Sequence, residues 1–219
     1  MLRTHSETST PIELTSSNGK TLPKIAQKLL SLRGKALPLG ERTLIMGVLN
    51  VTPDSFHDGG KYTSIDAALS RAETMAGEGA DIIDIGGEST RPGSEGVSGE
   101  EELARVVPVI REIRKRLDLP LSIDTTKALV ARAALAEGAS MVNDISGLKF
   151  DAGIAEAAAE YGAAMVLMHT SSRPRDMQKK TEYEYLVDDI KESLRESKRK
   201  AAAAGVREEN IIIDPGFGF

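Results

Sequence analysis

One stretch of the sequence changes character in its middle: Asp81-Ile-Ile-Asp-Ile-Gly-Gly-Glu-Ser-Thr-Arg-Pro-Gly93. Its first half is apolar, and Ile82, Ile83 and Ile85 form the short continuous run expected of a fully buried strand. Its second half contains two glycines, a carboxylate, two hydroxyls and a guanidinium, which cannot continue that strand. A buried strand with a polar carboxyl end is typical of active sites in α/β proteins.

A repeated junction predicts the architecture on both sides of this stretch. Gly79-Ala80, Gly138-Ala139 and Gly162-Ala163 each stand between a helical pattern and a short apolar segment. A glycine that ends a helix and is followed by a strand, three times over, indicates a βα repeat. Strands are predicted near residues 44–49, 82–85, 121–123, 141–142, 164–168 and 211–213.

Helices are predicted between these strands. A first helix is predicted from Ser64 to Gly79, and Ser98 and Glu101 form a capping box before a second helix, which Pro108 is expected to kink. Three more helices are predicted at 125–137, 151–161 and 182–204. The predicted buried stripe of the last helix consists of Tyr183, Leu186, Val187, Ile190 and Leu194.

Single helices between parallel strands fit an open doubly wound sheet or a barrel. No glycine-rich phosphate motif of the open-sheet type is present, so we favour an α/β fold of the (β/α)8 TIM-barrel class. Such a barrel has eight strands in about 250 residues. We expect this chain to be truncated at its carboxyl end and to supply an amino-terminal hairpin and roughly strands 1–6.

The amino-terminal part is divided as follows. Residues 1–35 are predicted to be a flexible extension with a short helix at Pro23–Leu32, and residues 36–219 an incomplete barrel domain. Residues 36–39 and 43–49, which flank Gly40-Glu41-Arg42, are predicted to form the hairpin.

Composition excludes several classes of function. The 28 basic and 33 acidic residues give a net charge of −5, which argues against a general nucleic-acid binder. Cysteine is absent, so disulfides and thiolate chemistry are excluded. No apolar run reaches the roughly 20 residues of a membrane helix, and we expect a cytoplasmic protein with no membrane partner.

Every predicted strand is followed by a polar side chain. These residues are Asn50, Glu88 with Thr90 and Arg91, Asp124, Asn143 with Asp144, His169, and Asp214. In a parallel barrel the carboxyl ends of the strands meet at one mouth, which favours a shared site. The alternative is that Asp124 and Asp144 only cap the helices that follow them.

Three groups within this set have chemical meaning. The loop that begins at Asn50 carries Phe56, a candidate ligand-facing ring. Thr90 and Arg91, stiffened by Pro92, suit a phosphate or carboxylate, although an exposed arginine is the simpler interpretation. Asp124, Asn143 and Asp214 offer hydrogen-bond acceptors and an amide. These groups suit the edge of a flat heterocycle that is rich in N–H donors. His169 is as readily a core residue as a catalyst.

At these residues the chain resembles the dihydropteroate synthase family of the pterin-binding barrel enzymes. The matching motifs occur in family order from about residue 36 to the end. They are Gly47-Val-Leu-Asn-Val-Thr-Pro-Asp-Ser-Phe56, Gly86-Gly-Glu-Ser-Thr-Arg-Pro-Gly93, Ser122-Ile-Asp-Thr-Thr-Lys127, Asn143-Asp-Ile-Ser-Gly147, Leu167-Met-His169 and Asp214-Pro-Gly-Phe-Gly-Phe219.

The resemblance implies condensation of 6-hydroxymethyl-7,8-dihydropterin pyrophosphate with 4-aminobenzoate to dihydropteroate and pyrophosphate. It implies that the pterin is held by Asp124, Asn143 and Asp214, with Ile145 and Met168 on its face. It also implies that Asn50 helps to hold Mg²⁺, and that the full-length enzyme is a homodimer. The residues implied at the first two loops and the aminobenzoate pocket are Phe56, Thr90, Arg91, Pro92 and Phe219.

Further site residues of the family, a lysine on the seventh strand and an arginine–histidine pair on the eighth, would follow Phe219. We therefore expect the 219-residue chain alone to be unstable or inactive. Two other functions stay open. One is a methyltetrahydrofolate:corrinoid methyltransferase, which has no use for the first two loops, and the other is a pterin-binding or partner-binding paralogue without activity.

Overall fold

The computed structural model describes residues 28–52, 61–89, 94, 96–172, 175 and 183–218. Strands and helices alternate after an initial pair of strands. In chain order they are β1 (Lys28–Leu32), β2 (Lys35–Leu39), β3 (Met46–Asn50), α1 (Lys61–Gly77), β4 (Ile82–Gly86), α2 (Gly99–Arg116), β5 (Leu121–Asp124), α3 (Ala128–Ala136), β6 (Met141–Asp144), α4 (Gly153–Tyr161), β7 (Ala164–Met168), α5 (Leu186–Ala203) and β8 (Ile211–Asp214). The six strands predicted after residue 43 are confirmed, each to within two residues.

Strands β3 to β8 form one parallel sheet in which each strand pairs with the next along the chain. An open doubly wound sheet reverses its strand order at a switch point, and this sheet has no such reversal. The sheet therefore corresponds to six successive strands of a (β/α)8 barrel. None of the helices in the described ranges has both the length and the apolar character that a membrane span requires.

The two faces of the sheet belong to two separate hydrophobic clusters, because side chains alternate along each strand. The outer face packs against the helices and includes Ile83, Ile85 and Ile123. The inner face, near the amino ends of the strands, includes Ile82 and Met141. Consequently Asp84 and Gly86, two and four positions after Ile82, also face the inside of the barrel.

The hairpin that covers this inner cluster differs from the predicted one. β2 pairs antiparallel with β1, and not with β3. The turn consists of Arg33 and Gly34, both with positive φ, as a type I′ hairpin turn requires. The helix predicted at Pro23–Leu32 is therefore wrong over β1. The rest of it, residues 23–27, lies outside the described residues, as do residues 1–22.

Apolar side chains explain why the hairpin forms here. They are Leu30, Leu32, Leu37 and Leu39, and they pack on the inner face of the sheet. Arg33 fixes the turn, because its guanidinium donates to the carbonyls of Leu135 and, at 3.2 Å, Ala139. The predicted domain boundary between residues 35 and 36 falls inside this hairpin.

Helix α2 begins as predicted, whereas the buried side of α5 differs from the predicted one. Ser98 caps α2 as predicted, since its hydroxyl accepts from the N–H of Glu101 at 3.1 Å. The buried stripe predicted for α5 is wrong at Leu186 and Val187, which are 52% and 61% exposed. The buried side of α5 lies further along, at Leu194, Ser197 and Ala201, because that part of the helix contacts the loop after β6.

Replacement of Gly147 by alanine is expected to destabilise the protein more than the same change at Gly162. Both glycines have left-handed φ values, +57° and +61°. A Cβ on Gly147 would lie 2.6 Å from the carbonyl oxygen of Met168, whereas a Cβ on Gly162 would meet nothing within 4 Å. We expect a cost of about 1 kcal/mol at Gly162 and about 3 kcal/mol at Gly147, measured by urea unfolding. Equal costs would show that the loop after β6 yields without strain.

Candidate active site

Polar side chains line the inner face of the sheet at the carboxyl ends of its strands. Asn50, Gly86, Asp124 and Asn143 are aligned across β3, β4, β5 and β6 by the strand register. On the next pair of strands, Met168 is aligned with Asp214. Along every strand except β5 these positions are an even number of residues from members of the inner apolar cluster, and on β5 Asp124 is aligned with Gly86 and Asn143, so all of them lie on the same face of the sheet. Their side chains therefore point into the barrel mouth.

Gly86 leaves an open space between two of these groups. A Cβ at this position would lie 3.5 Å from Oδ2 of Asp124 and 3.7 Å from Oδ1 of Asn50. A larger side chain would therefore fill the gap between the amide of Asn50 and the carboxylate of Asp124. Both oxygens therefore lie next to the position that a side chain at residue 86 would occupy.

A second carboxylate, Asp84, lies on the same face of β4, two residues before Gly86 and so further from the carboxyl end of the strand. The sequence analysis did not single it out. It is 3% exposed, and its Oδ2 accepts a hydrogen bond of 2.9 Å from Nδ2 of Asn143. Its Oδ1 is buried without a hydrogen-bond partner in the described part of the chain. The available signal was a carboxylate within an apolar strand, two residues before Gly86 and thus on the inner face.

The buried carboxylates disfavour each other's ionisation. Burial raises the pKa of Asp84, and hydrogen bonding, including that from Asn143, offsets only part of this effect. Burial and the negative charges of Asp84, Glu102, Asp144 and Glu88 raise the pKa of Asp124 well above its ordinary value. A cationic or donor-rich ligand would relieve this repulsion and stabilise the ionised form of Asp124.

Asp124 and Asp144 differ in whether they hydrogen-bond to the backbone that follows them, as the helix-cap alternative requires. The first N–H of α3, at Ala128, donates to Oδ2 of Asp151 at 2.7 Å, so Asp124 does not cap this helix. Asp144 accepts from the backbone N–H groups of Ser146 and Leu148 at 2.8 and 2.7 Å. Asp144 therefore stabilises the turn after β6, whereas Asp124 is available to a ligand.

The remaining described candidates differ in their surroundings. Ile145 and Met168 are 7% and 3% exposed and provide the apolar part of the mouth. Asp214 accepts the N–H of Gly216 at 2.7 Å, which orients its carboxylate. His169 bonds through Nε2 to the Tyr183 hydroxyl at 3.0 Å, and burial lowers its pKa. This arrangement favours the core interpretation of His169.

An ion-pair cluster next to the mouth also escaped the sequence analysis. Lys127 donates to Oε2 of Glu88 and, at 2.5 Å, to Oε2 of Glu102, whose side chain is fully buried. Burial alone would lower the pKa of Lys127, but the bonds to Glu102 and Glu88 outweigh it and the pKa is raised. The cluster joins the end of β4 to α2 and to the start of α3.

Five predicted site residues cannot be placed. Phe56, Thr90, Arg91, Pro92 and Phe219 lie outside the described residues. Their predicted roles therefore stay predictions, as do the ligand contacts assigned to the residues that the structure does place.

Substitution of Asp124 by asparagine is expected to stabilise the folded protein at neutral pH. The pKa of Asp124 is raised on folding, so the stability associated with its bound proton is complete below the unfolded pKa of about 4. That stability is lost as the pH rises through the folded pKa. Asparagine cannot ionise, so its advantage should be present at pH 8 and vanish near pH 4.

Urea unfolding of both proteins at the two pH values measures this difference. Asp188→Asn, on the exposed side of α5, is the matched control and should show no comparable gain at pH 8. A stability difference of the same size at both pH values would contradict the expected change in ionisation.

The parallel strand order, with polar side chains at the carboxyl ends of the strands, defines a protein of the (β/α)8-barrel class. The sequence profile of the pterin-binding enzymes matches residues 46–219. The dihydropteroate synthase of Clostridium beijerinckii is 52% identical over 190 residues, which are 87% of this chain and 68% of that protein. The chain therefore belongs to the pterin-binding enzyme family and, within it, to the dihydropteroate synthases of folate biosynthesis.

Solved structures agree with this assignment. Dihydropteroate synthase from Xanthomonas albilineans with 4-aminobenzoic acid has a TM-score of 0.80 and 44% identity, over 88% of this chain and 68% of that one. The same enzyme in complex with 7,8-dihydropteroate has a TM-score of 0.75 and 41% identity, over 87% of this chain and 66% of that one. The chain thus spans about two thirds of the length of these relatives.

Proposed function

We propose that the whole protein condenses 6-hydroxymethyl-7,8-dihydropterin pyrophosphate with 4-aminobenzoate to form 7,8-dihydropteroate and pyrophosphate. The observation that carries this proposal is the alignment of Asp124 with Asn143 on one inner face, which Asp214, aligned with Met168, shares two strands further along the sheet. Structures of the Xanthomonas relative contain the second substrate and the product of this reaction. The 52% identity to the Clostridium synthase also favours this reaction over the methyltransferase hypothesis.

In this proposal the pterin ring occupies the barrel mouth. Its N–H groups donate to Asp124, Asn143 and Asp214, since carboxylate and amide oxygens are acceptors for such an edge. Ile145 and Met168 contact the face of the ring. Because burial and neighbouring charges raise the pKa of Asp124, ring binding and ionisation of this carboxyl group support each other.

The reaction breaks the bond between the pterin methylene carbon and the pyrophosphate oxygen. A bond then forms from that carbon to the aminobenzoate nitrogen, which releases a proton. If the leaving group departs ahead of amine attack, the methylene becomes cationic. The negative charge of Asp124 would stabilise this cation, which is the electrostatic contribution expected of a preorganised site.

Mg²⁺ is proposed as the metal on the pyrophosphate. The amide oxygen of Asn50, an exposed residue beside Gly86, suits a hard cation that prefers oxygen ligands. Bound Mg²⁺ would neutralise charge on the leaving pyrophosphate. The loop residues Phe56, Thr90, Arg91, Pro92 and Phe219 are proposed to shape the anion and aminobenzoate pockets. We also propose a cytoplasmic homodimer.

The test uses protein expressed from the complete reading frame, with Mg²⁺ and the pterin pyrophosphate. Pyrophosphate release is measured with and without 4-aminobenzoate, and the pterin product is identified by mass. Release together with dihydropteroate formation is the expected result. Pterin binding without release at any amine concentration would instead identify a non-catalytic paralogue.

A further inference from the structure

Asp84 is the one carboxylate that bonds directly to a proposed pterin-binding residue among the described side chains. The bond runs from Nδ2 of Asn143 to Oδ2 of Asp84 and measures 2.9 Å. Asp84 is 3% exposed, so it cannot itself reach a ligand in the mouth. Asn143 is half-buried and remains accessible. Asp84 therefore has no direct contact with a ligand: its hydrogen bond acts through Asn143, and its charge acts on Asp124.

The chemistry of the pair decides which end of the Asn143 amide faces Asp84. An amide has a donor end and an acceptor end of nearly equal size, and its orientation follows from its partners. The bond from Asn143 favours the ionised form of Asp84 against the effect of burial, and an ionised carboxylate has only acceptor oxygens, so it binds the nitrogen end and rejects the oxygen end. Val48 and Ser122, the residues aligned with Asp84 on β3 and β5, are uncharged, and the neighbouring ionisable group is Asp124 on β5, which is aligned with Asn143.

We propose that Asp84 is a positioning residue: it holds the nitrogen of the Asn143 amide inward and keeps Oδ1 free to accept an N–H from the pterin ring. This inference rests on the proposed function, because it assumes that a pterin occupies the mouth. In this inference Asp84 contributes to ligand specificity without contacting the ligand, because it sets the orientation of a residue that does. Burial keeps the bond to Asp84 out of competition with water, which strengthens it relative to an exposed one.

Replacement of Asp84 by asparagine tests the orientation with little change in shape. In the Asp84→Asn variant, the new amide offers Asn143 both a donor and an acceptor, so the Asn143 amide can turn its nitrogen toward the ligand. We expect affinity for 6-hydroxymethylpterin, measured by titration calorimetry, to fall about 10- to 100-fold, the range for loss of a hydrogen bond to a charged group.

A second variant exchanges the two side chains. In Asp84→Asn/Asn143→Asp, the amide at position 84 donates to the carboxylate at position 143, which again presents an acceptor to the ring. This exchange should recover at least about tenfold of the lost affinity. A role for Asp84 in stability alone gives no reason for the exchange to restore ligand binding.

Asp81→Asn is the matched control, because it makes the same substitution three residues before Asp84, next to the same strand. Asp81 lies at the amino end of β4, and its carboxylate accepts from Arg42 and from the Ile45 N–H, both at 2.8 Å. Its replacement should lower the unfolding temperature but leave the dissociation constant for 6-hydroxymethylpterin within about twofold.

The outcomes separate the two proposals. If the unsubstituted protein does not bind 6-hydroxymethylpterin, the proposed function fails. If it binds and Asp84→Asn binds equally well, the positioning role is wrong while the function stands. If Asp84→Asn loses affinity and the exchanged pair recovers none, the charge of Asp84 matters but its orientation of Asn143 does not, and the inference is again overturned.

Discussion

Asp124→Asn is expected to lower kcat/KM for dihydropteroate formation about 100- to 1000-fold in the whole protein. The change keeps the shape of the side chain but removes the negative charge next to the proposed pterin cation. Because the substitution also removes a carboxyl group with a raised pKa, the variant should not be less stable at neutral pH. Activity and stability would then change in opposite directions at one residue.

Steady-state kinetics with both substrates varied, together with urea unfolding at the same pH, provide the measurement. Asp188→Asn is again the control and should retain activity within about twofold. If Asp124→Asn loses activity only in proportion to lost folded protein, Asp124 has a structural role and the proposed charge stabilisation is wrong.

Lys127→Met is expected to produce the largest loss of stability, about 3–5 kcal/mol. The substitution leaves the fully buried Glu102 without its cation, and Oε1 of Glu102 already lacks a hydrogen-bond partner in the described structure. For a chain of this size the loss corresponds to a fall of roughly 10 °C in the unfolding temperature. Thermal unfolding followed by circular dichroism measures it.

Two further variants define the origin of this effect. Lys115→Met replaces an exposed lysine that pairs with Glu112 on α2, and it should change stability by less than about 0.5 kcal/mol. The double variant Lys127→Met/Glu102→Gln should recover part of the loss, because no uncompensated charge remains. A cost that is the same with and without Glu102 would mean that the apolar stem of Lys127, and not its charge, stabilises the cluster.

The sequence alone was sufficient to predict the parallel sheet. Apolar runs such as Ile82–Ile85 and the repeated Gly-Ala junctions depend on local chemistry, since a helix end needs a left-handed residue and a buried strand needs continuous apolar side chains. Asp124, Asn143 and Asp214 were found for a similar reason. Each directly follows an apolar run, and parallel strands bring their carboxyl ends together.

The hairpin and α5 depended on distant contacts. Residues 35–39 have turn residues on both sides, and pairing with β1 is favoured because Leu30 and Leu32 then cover the inner face of the sheet. Leu186 and Val187 follow a helical period, yet no neighbour in the described structure buries them. Periodicity identifies the apolar side of a helix but does not show which part of it another element covers.

Local sequence patterns were sufficient to predict the six parallel strands, their order along the βα repeat and the polar residues at their carboxyl ends, but not β1. How those residues act on one another follows from contacts between distant parts of the chain. Asp84 meets Asn143 across 59 positions of sequence, and Lys127 meets Glu88 across 39. The physical reason is that hydrogen bonding and the pKa of a buried carboxyl group depend on neighbours in space, and these neighbours come from different strands and helices.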